Sequence, residues 1–168
     1  MNVTLYSASV PVFVQLLTAL RGVLQKAESQ AAERKFPPEA LLQARLYPNM
    51  FPLTRQVQIA TDFAKGACAR LAGLEPPQYA DTEQSFPELV ARIDRTLDFL
   101  GELAPAQIEG QESRQVELRV GGRSLSFQGL PYLLHFALPN FYFHVTTAYA
   151  ILRHNGIEIG KADFVGPF

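Results

Sequence analysis

The stretch from Leu138 to Gly156 constrains this chain more than any other. On a helical wheel of about 100° per residue, Phe141, Val145, Ala148 and Leu152 form one core-facing stripe. Thr146, Thr147, Arg153 and His154 fall on the opposite arc, and Phe143 points to the polar side, implying a covered outer surface. Asn140 suits the N-cap and Pro139 suits the helix entrance rather than its interior. Asn155 and Gly156 supply the stop, with Arg153 and His154 in the last turn, where the helix dipole favours cations. His144 lies roughly 70° from the stripe centre, at the edge of the buried seam, where a side chain can look between helices.

A helix with an apolar stripe needs partners, and the rest of the chain supplies them. From Leu5 to Glu28, Phe13, Leu16, Leu17, Leu20, Val23, Leu24 and Ala27 recur every three or four positions; Ser7 or Ser9 can cap this helix, with Pro11 in its first turn. A short helix follows over Glu39–Leu46, and then a loop, Tyr47 to Leu53, whose apolar residues must lie against the protein. The second long helix runs from Phe51 to Leu71, with Leu53, Val57, Ala60, Ala64, Ala67 and Leu71 as its stripe and Gly73 as its stop. Glu75 to Gln84 is a linker rich in Pro, Tyr and acid. Ser85 with Glu88 three residues on is a capping-box start for a third long helix, which carries Leu89, Ile93, Leu97 and Leu100 to about Leu103.

The period then changes. Val116, Leu118 and Val120 alternate with polar residues, as do Leu125 and Phe127, and Gly121-Gly122 between them can take the positive φ of a two-residue turn. A β-hairpin over Gln115–Phe127 follows, and it must lean on the helices to be stable. Tyr132–Leu138 reads as a short helix leading into the last one, and the tail from Ile157 to Phe168 as a wrap on an existing surface. The expected fold is all-α: an up-down four-helix bundle, one domain over 1–168, with a short extra helix and the inserted hairpin near 115–127.

Charge and cysteine content exclude several classes. Fifteen basic residues against 16 acidic give a formal net charge of −1 with no basic block, so no nucleic-acid partner is expected. The single cysteine, Cys68, forms no internal disulfide and fits a reducing compartment, hence the cytoplasm. Apolar runs fall short of the roughly 18–20 residues a membrane span requires, and the N-terminus has no charged segment ahead of an apolar core, so neither membrane nor secretion is expected. No nucleophile elbow, phosphate-binding glycine loop, H-E-x-x-H or cysteine pair occurs.

The proline-rich approach to the second helix (Met50-Phe51-Pro52-Leu53-Thr54-Arg55-Gln56), the last helix from Phe143 to Gly156 and the tail Gly160-Lys161-Ala162-Asp163-Phe164 resemble the DinB/YfiT-like superfamily, and within it an uncharacterised bacterial branch. The resemblance spans essentially the whole chain. It implies a four-helix bundle, usually dimeric, with a divalent metal on three histidines: one from the second helix and two from an H-x-x-x-H pair on the last. Members are linked to thiol-dependent transfer, hydrolysis and isomerisation. His144 matches the second histidine of that pair. The first falls on Asn140, and the second helix offers Gln56 or Gln58 in place of its histidine.

Carboxamides replace imidazoles poorly as zinc ligands. His154 is ten residues from His144, roughly 15 Å along one helix, and His135 could fold back only through a bend at Pro139. No bound metal is therefore expected; zinc or nickel on His144 is the alternative. Cys68 reads as a small core residue, and Asp62 with Lys65 or Arg55 as a solvated helix face. Two functions remain. The first is a homodimeric small-ligand binding or interaction module whose metal site is degenerate, with Asn140, Gln56, Tyr149 and Phe51 as ligand-binding residues. The second is an enzyme of the transferase or hydrolase type, using His144 as its acid/base in a reshaped site.

Overall fold

The structure, a computed structural model, describes residues 3–167; Met1, Asn2 and Phe168, the ends of the expected domain and tail, lie outside the described residues. Four long helices organise it: α1 (Val10–Glu33), α3 (Leu53–Ala72), α4 (Phe86–Gly101) and α7 (Leu138–His154). Between them come the short helices α2 (Pro38–Leu42), α5 (Pro105–Ile108) and α6 (Gly129–Tyr132), and α8 (Lys161–Val165) ends the chain. Helix α3 packs on α7 and α4, and α1 packs on α4 and α7. Each expected stripe faces this common core: Phe13, Val57, Ile93 and Phe141 are fully buried, and Phe13 meets Phe141 edge to face at 4.8 Å. Such aromatic pairs add about 0.5–1.5 kcal/mol beyond their burial.

Local chemistry sets the helix ends and moves some of them from the expected positions. Helix α1 starts at Val10 rather than Leu5: Ser9 takes the N-cap position, but its hydroxyl donates to Leu5 O at 2.7 Å and closes a preceding turn. Pro11 then falls in the first turn, where no N–H is needed. With no breaker after Glu28, the helix runs on to Glu33 and buries Ala31. Helix α2 is shorter than expected, stopping at Leu42. Pro52, in extended conformation, delays α3 to Leu53, and Gly73 ends it with a left-handed φ of 74°. At α4 the Glu88 N–H donates to Ser85 Oγ, as the Ser85–Glu88 spacing suggests, while the Glu88 carboxylate reaches one residue further back and accepts from Gln84 N–H at 2.6 Å.

The last helix departs most from its sequence reading. Helix α6 runs into a π-helical segment, Leu133–Ala137, which runs into α7 without a break. Pro139 is thus internal. It lacks an N–H, and in a regular helix its ring would crowd the carbonyl four residues back. The wider π turn, in which Leu138 N–H reaches Leu133 O, accommodates it. Asn140 is consequently no cap: its Nδ2 donates to Phe136 O at 2.7 Å, within the same helix. Thr147, expected on the polar arc, is buried with its hydroxyl donated to Phe143 O at 2.7 Å.

Strands β1 (Gln115–Val120) and β2 (Arg123–Gln128) pair antiparallel, with Val116 opposite Phe127 and Leu118 opposite Leu125. Gly121 (φ 55°) and Gly122 (φ 79°) make the tight turn, a conformation that costs a side-chain-bearing residue more. The hairpin leans on the π segment: the Phe127 ring lies 5.3 Å from Phe136 and 6.0 Å from Tyr132. The tail forms a helix rather than a plain wrap. There α8 lies on α1, with Lys26 Nζ 2.5 Å from Asp163 and Phe164 against Tyr149. Among the described residues no helix is long and apolar enough to cross a membrane.

Candidate functional site

Helices α3 and α7 bring His144 and Gln56 together. His144 Nδ1 lies 2.7 Å from Gln56 Oε1, and Gln56 Nε2 donates to Phe51 O at 3.0 Å. That second bond fixes the amide: Oε1 can only accept, so His144 Nδ1 must carry the proton. Both side chains are buried, Gln56 at 1% exposure and His144 at 9%. Phe63 stacks on the imidazole at 5.9 Å and Phe143 meets it edge-on at 5.2 Å. Desolvation, with a smaller contribution from the Arg55 charge, depresses the His144 pKa to about 4. The ring is therefore neutral at ordinary pH, with an Nε2 lone pair that accepts no hydrogen bond from the described residues.

The other expected site residues divide. Phe51 contributes its backbone carbonyl, while its ring is exposed under the Arg55 guanidinium. Asn140 is one turn before His144, but its amide is committed to Phe136 O. Tyr149 lies five residues on, about 140° round the helix, and packs against Phe164 of the tail. It does not join the pair. Gln58 turns to the opposite partner set, donating to Glu83 Oε2 at 2.8 Å. Cys68 is a core residue, its thiol pKa pushed up by burial. His135 and His154 are exposed.

A second polar cluster was not legible in the same way. Arg92 on α4 is only 3% exposed, and its guanidinium donates to Thr61 Oγ1 (2.8 Å), Ala80 O (3.0 Å), Glu83 (3.0 Å) and Asp62 (2.9 Å), with Asp81 at 3.0 Å. Burial alone would lower its pKa; the hydrogen bond to Glu83 and the charges of Asp62, Glu83 and Asp81 outweigh that and hold it above its ordinary value. Lys65, at 5% exposure, holds Asp62 at 2.9 Å. Lys65 is therefore not part of the solvated face its spacing suggests, while the Asp62 side chain keeps 38% of its surface exposed. The linker folds over Lys65, and Tyr79 lies under Arg95 at 3.8 Å and Lys65 at 4.7 Å. The available signal was Arg92 itself, which shares the helical face of Leu89 and Ile93 beside an acid-rich linker.

These elements also have counterparts in other proteins. A family model described as Domain of unknown function (DUF1993) matches residues 5–165, and this chain belongs to that family. A crystal structure of a DinB family member from Shewanella denitrificans is 38% identical, with a TM-score of 0.87 over 98% of this chain and 93% of that one. The chain is a DinB family member. Comparison with the curated proteins found no match. The DinB resemblance drawn from Met50–Gln56, Phe143–Gly156 and the tail Gly160–Phe164 therefore extends over 98% of the chain.

Set in the DinB frame, the three positions implied for a metal carry Gln56, Asn140 and His144. They do not fit one. The ligating atom of Gln56, Oε1, already accepts from the imidazole, and Asn140 offers only a neutral amide oxygen where the resemblance implies an imidazole. Among the described residues no group of three or more His, Cys, Asp and Glu side chains could hold an ion. What remains is a single neutral imidazole nitrogen, a hydrogen-bond acceptor that needs companions to be a strong metal site.

Proposed function

We propose that this DinB-family chain is a small-ligand binding or interaction module in which a hydrogen-bonded histidine–glutamine pair replaces the metal site its family resemblance implies. The 2.7 Å contact between His144 Nδ1 and Gln56 Oε1 carries this reading, because it fixes the ring with Nε2 as an acceptor for a ligand's donor. In the same reading the four long helices follow an up-down order, the protein works as a homodimer, and it resides in the cytoplasm. The exposed rings of Phe51 and Phe143 beside the pair favour a covered face, and the lone, buried, free Cys68 fits a reducing compartment.

Enzymatic use of His144 is the second reading, favoured by its free Nε2. A general base works best with a pKa near the operating pH, and one depressed to about 4 takes up protons poorly at neutrality. That weighs toward binding.

Metal analysis by inductively coupled plasma mass spectrometry, on protein purified without chelator, tests the proposal. Wild type is expected to carry substoichiometric zinc and nickel, whereas the double variant Gln56→His, Asn140→His, which restores three imidazoles, is expected to load a stoichiometric ion. Stoichiometric metal in wild type would contradict the reading.

A further inference from the structure

Two adjoining cavities on the outer face of α3 share Asp62 and Arg70 in their walls. One, of about 170 Å³, is lined otherwise by Phe63, Leu118, Val120, Tyr132 and Phe136, between helix and hairpin. The other, of about 290 Å³, is polar and includes Lys65, Gln78, Tyr79 and Asp81. Arg70 stands where an apolar pocket meets a polar one.

Its hydrogen bonding is incomplete. Arg55, Lys65 and Arg92 on this side of the protein each hold a carboxylate. Arg70 holds none among the described residues; its one bond is Nη1 donating to Tyr132 Oη at 3.3 Å. The carboxylate in the shared wall is already taken, since Asp62 Oδ1 meets both Lys65 and Arg92 at 2.9 Å. Tyr132 is 1% exposed, and burial raises its pKa, so the phenol stays protonated. Having accepted from Arg70, Tyr132 can still donate its own proton, and no acceptor for it stands among the described residues. The half-buried Arg70 guanidinium and the buried Tyr132 phenol therefore both have donor capacity that no acceptor among the described residues takes up, at the edge of an apolar cavity. Gly66 helps to shape the place: a Cβ there would sit 2.7 Å from Arg70 Nη1, so a side chain would displace the guanidinium.

We propose that Arg70 and Tyr132 bind the carboxylate of a small acid whose apolar body enters the pocket between Phe63, Phe136 and Leu118. A guanidinium matches a carboxylate with two parallel N–H donors. The volume of about 170 Å³ is below the ~300–1,000 Å³ of pockets for drug-sized ligands, so the body is small, an aromatic ring or short alkyl chain. One free cation beside Asp62 suits a monoanion better than a phosphate dianion. The site is separate from the His144–Gln56 pair and stands or falls without it, although Phe63 touches both.

The test titrates phenylacetate and hexanoate into the 15N-labelled full chain and follows the two-dimensional amide spectrum. Saturable shifts are expected at residues 62–70, 118–120 and 132–136. Phenylacetamide, which keeps the shape and loses the charge, and acetate, which keeps the charge and loses the body, are each expected to bind about tenfold more weakly or worse. Arg70→Lys should weaken phenylacetate about tenfold, and Tyr132→Phe should weaken it severalfold, with unchanged circular dichroism as the control on folding. The proposal is overturned if neither acid binds saturably, if phenylacetamide equals phenylacetate on wild type, or if the folded Arg70→Lys variant binds undiminished. Shifts centred on Gln56 and His144 instead would support the earlier reading and sink this one.

Discussion

Helix α3 carries two polar assemblies that differ in kind. Toward α4 and the linker, Arg92 is enclosed by oxygen atoms from Thr61, Asp62, Ala80, Asp81 and Glu83, so its charge is answered on every side. Toward α7, Gln56 and His144 form a neutral pair in which one ring nitrogen is satisfied and the other is not. A saturated cluster is fit to hold a linker in place. An under-committed one is fit to bind. Stability and function can thus be perturbed separately on the same helix.

The largest effect is expected on the saturated side. Arg92→Ala leaves three carboxylates without their common cation, and removing one partner of a buried ion pair costs about 3 kcal/mol or more. Urea unfolding measures it; a loss under about 1 kcal/mol would reduce the cluster to ordinary surface pairing. On the other side, Gln56→Ala strips the acceptor from a buried imidazole N–H and should cost about 2 kcal/mol, read in the same way. If both variants lost equally little, the contrast between the two assemblies would disappear.

Acid should sharpen the contrast further. With the folded His144 pKa at about 4 and its ordinary value at 6.5, the unfolded chain binds the extra proton between those limits. Stability from this group is thus full above about pH 6.5 and is lost progressively as pH falls toward 4. After allowance for the ring's residual contact with solvent, the loss is roughly 1–2 kcal/mol. It should vanish in His144→Gln, so parallel pH-stability curves for wild type and variant would remove the basis for a desolvated imidazole. The smallest effect belongs to the rim. Arg55→Ala, at a half-exposed pair with Asp81, should cost less than about 1 kcal/mol while moving the His144 titration upward, since the Arg55 charge is the second cause of its depression.

Sequence patterning located the elements well where one residue type permits one conformation. Gly121-Gly122 between two alternating runs could only be a tight hairpin turn, and Ser85 with Glu88 a helix start. Patterning failed where the outcome depended on residues distant in sequence or on an uncommon backbone. Pro139 reads as a boundary by its local chemistry, and nothing in its neighbours announces the π turn that keeps it inside a helix. The bond from His144 to Gln56 joins residues 88 apart, and no local pattern announces it; the signal was the family resemblance, which sets His144 and either Gln56 or Gln58 at one implied site. Lys65 looked solvated because its spacing from Asp62 is that of a surface pair; the linker that covers it arrives from later in the chain.

The neutral, Nδ1-protonated state of His144 underlies the whole account, and 15N NMR of the labelled imidazole across a pH titration measures it directly. An Nδ1–H tautomer at neutral pH and a titration midpoint far below 6.5, near 4, are expected. A ring that titrates close to 6.5, or that carries its proton on Nε2, would contradict it.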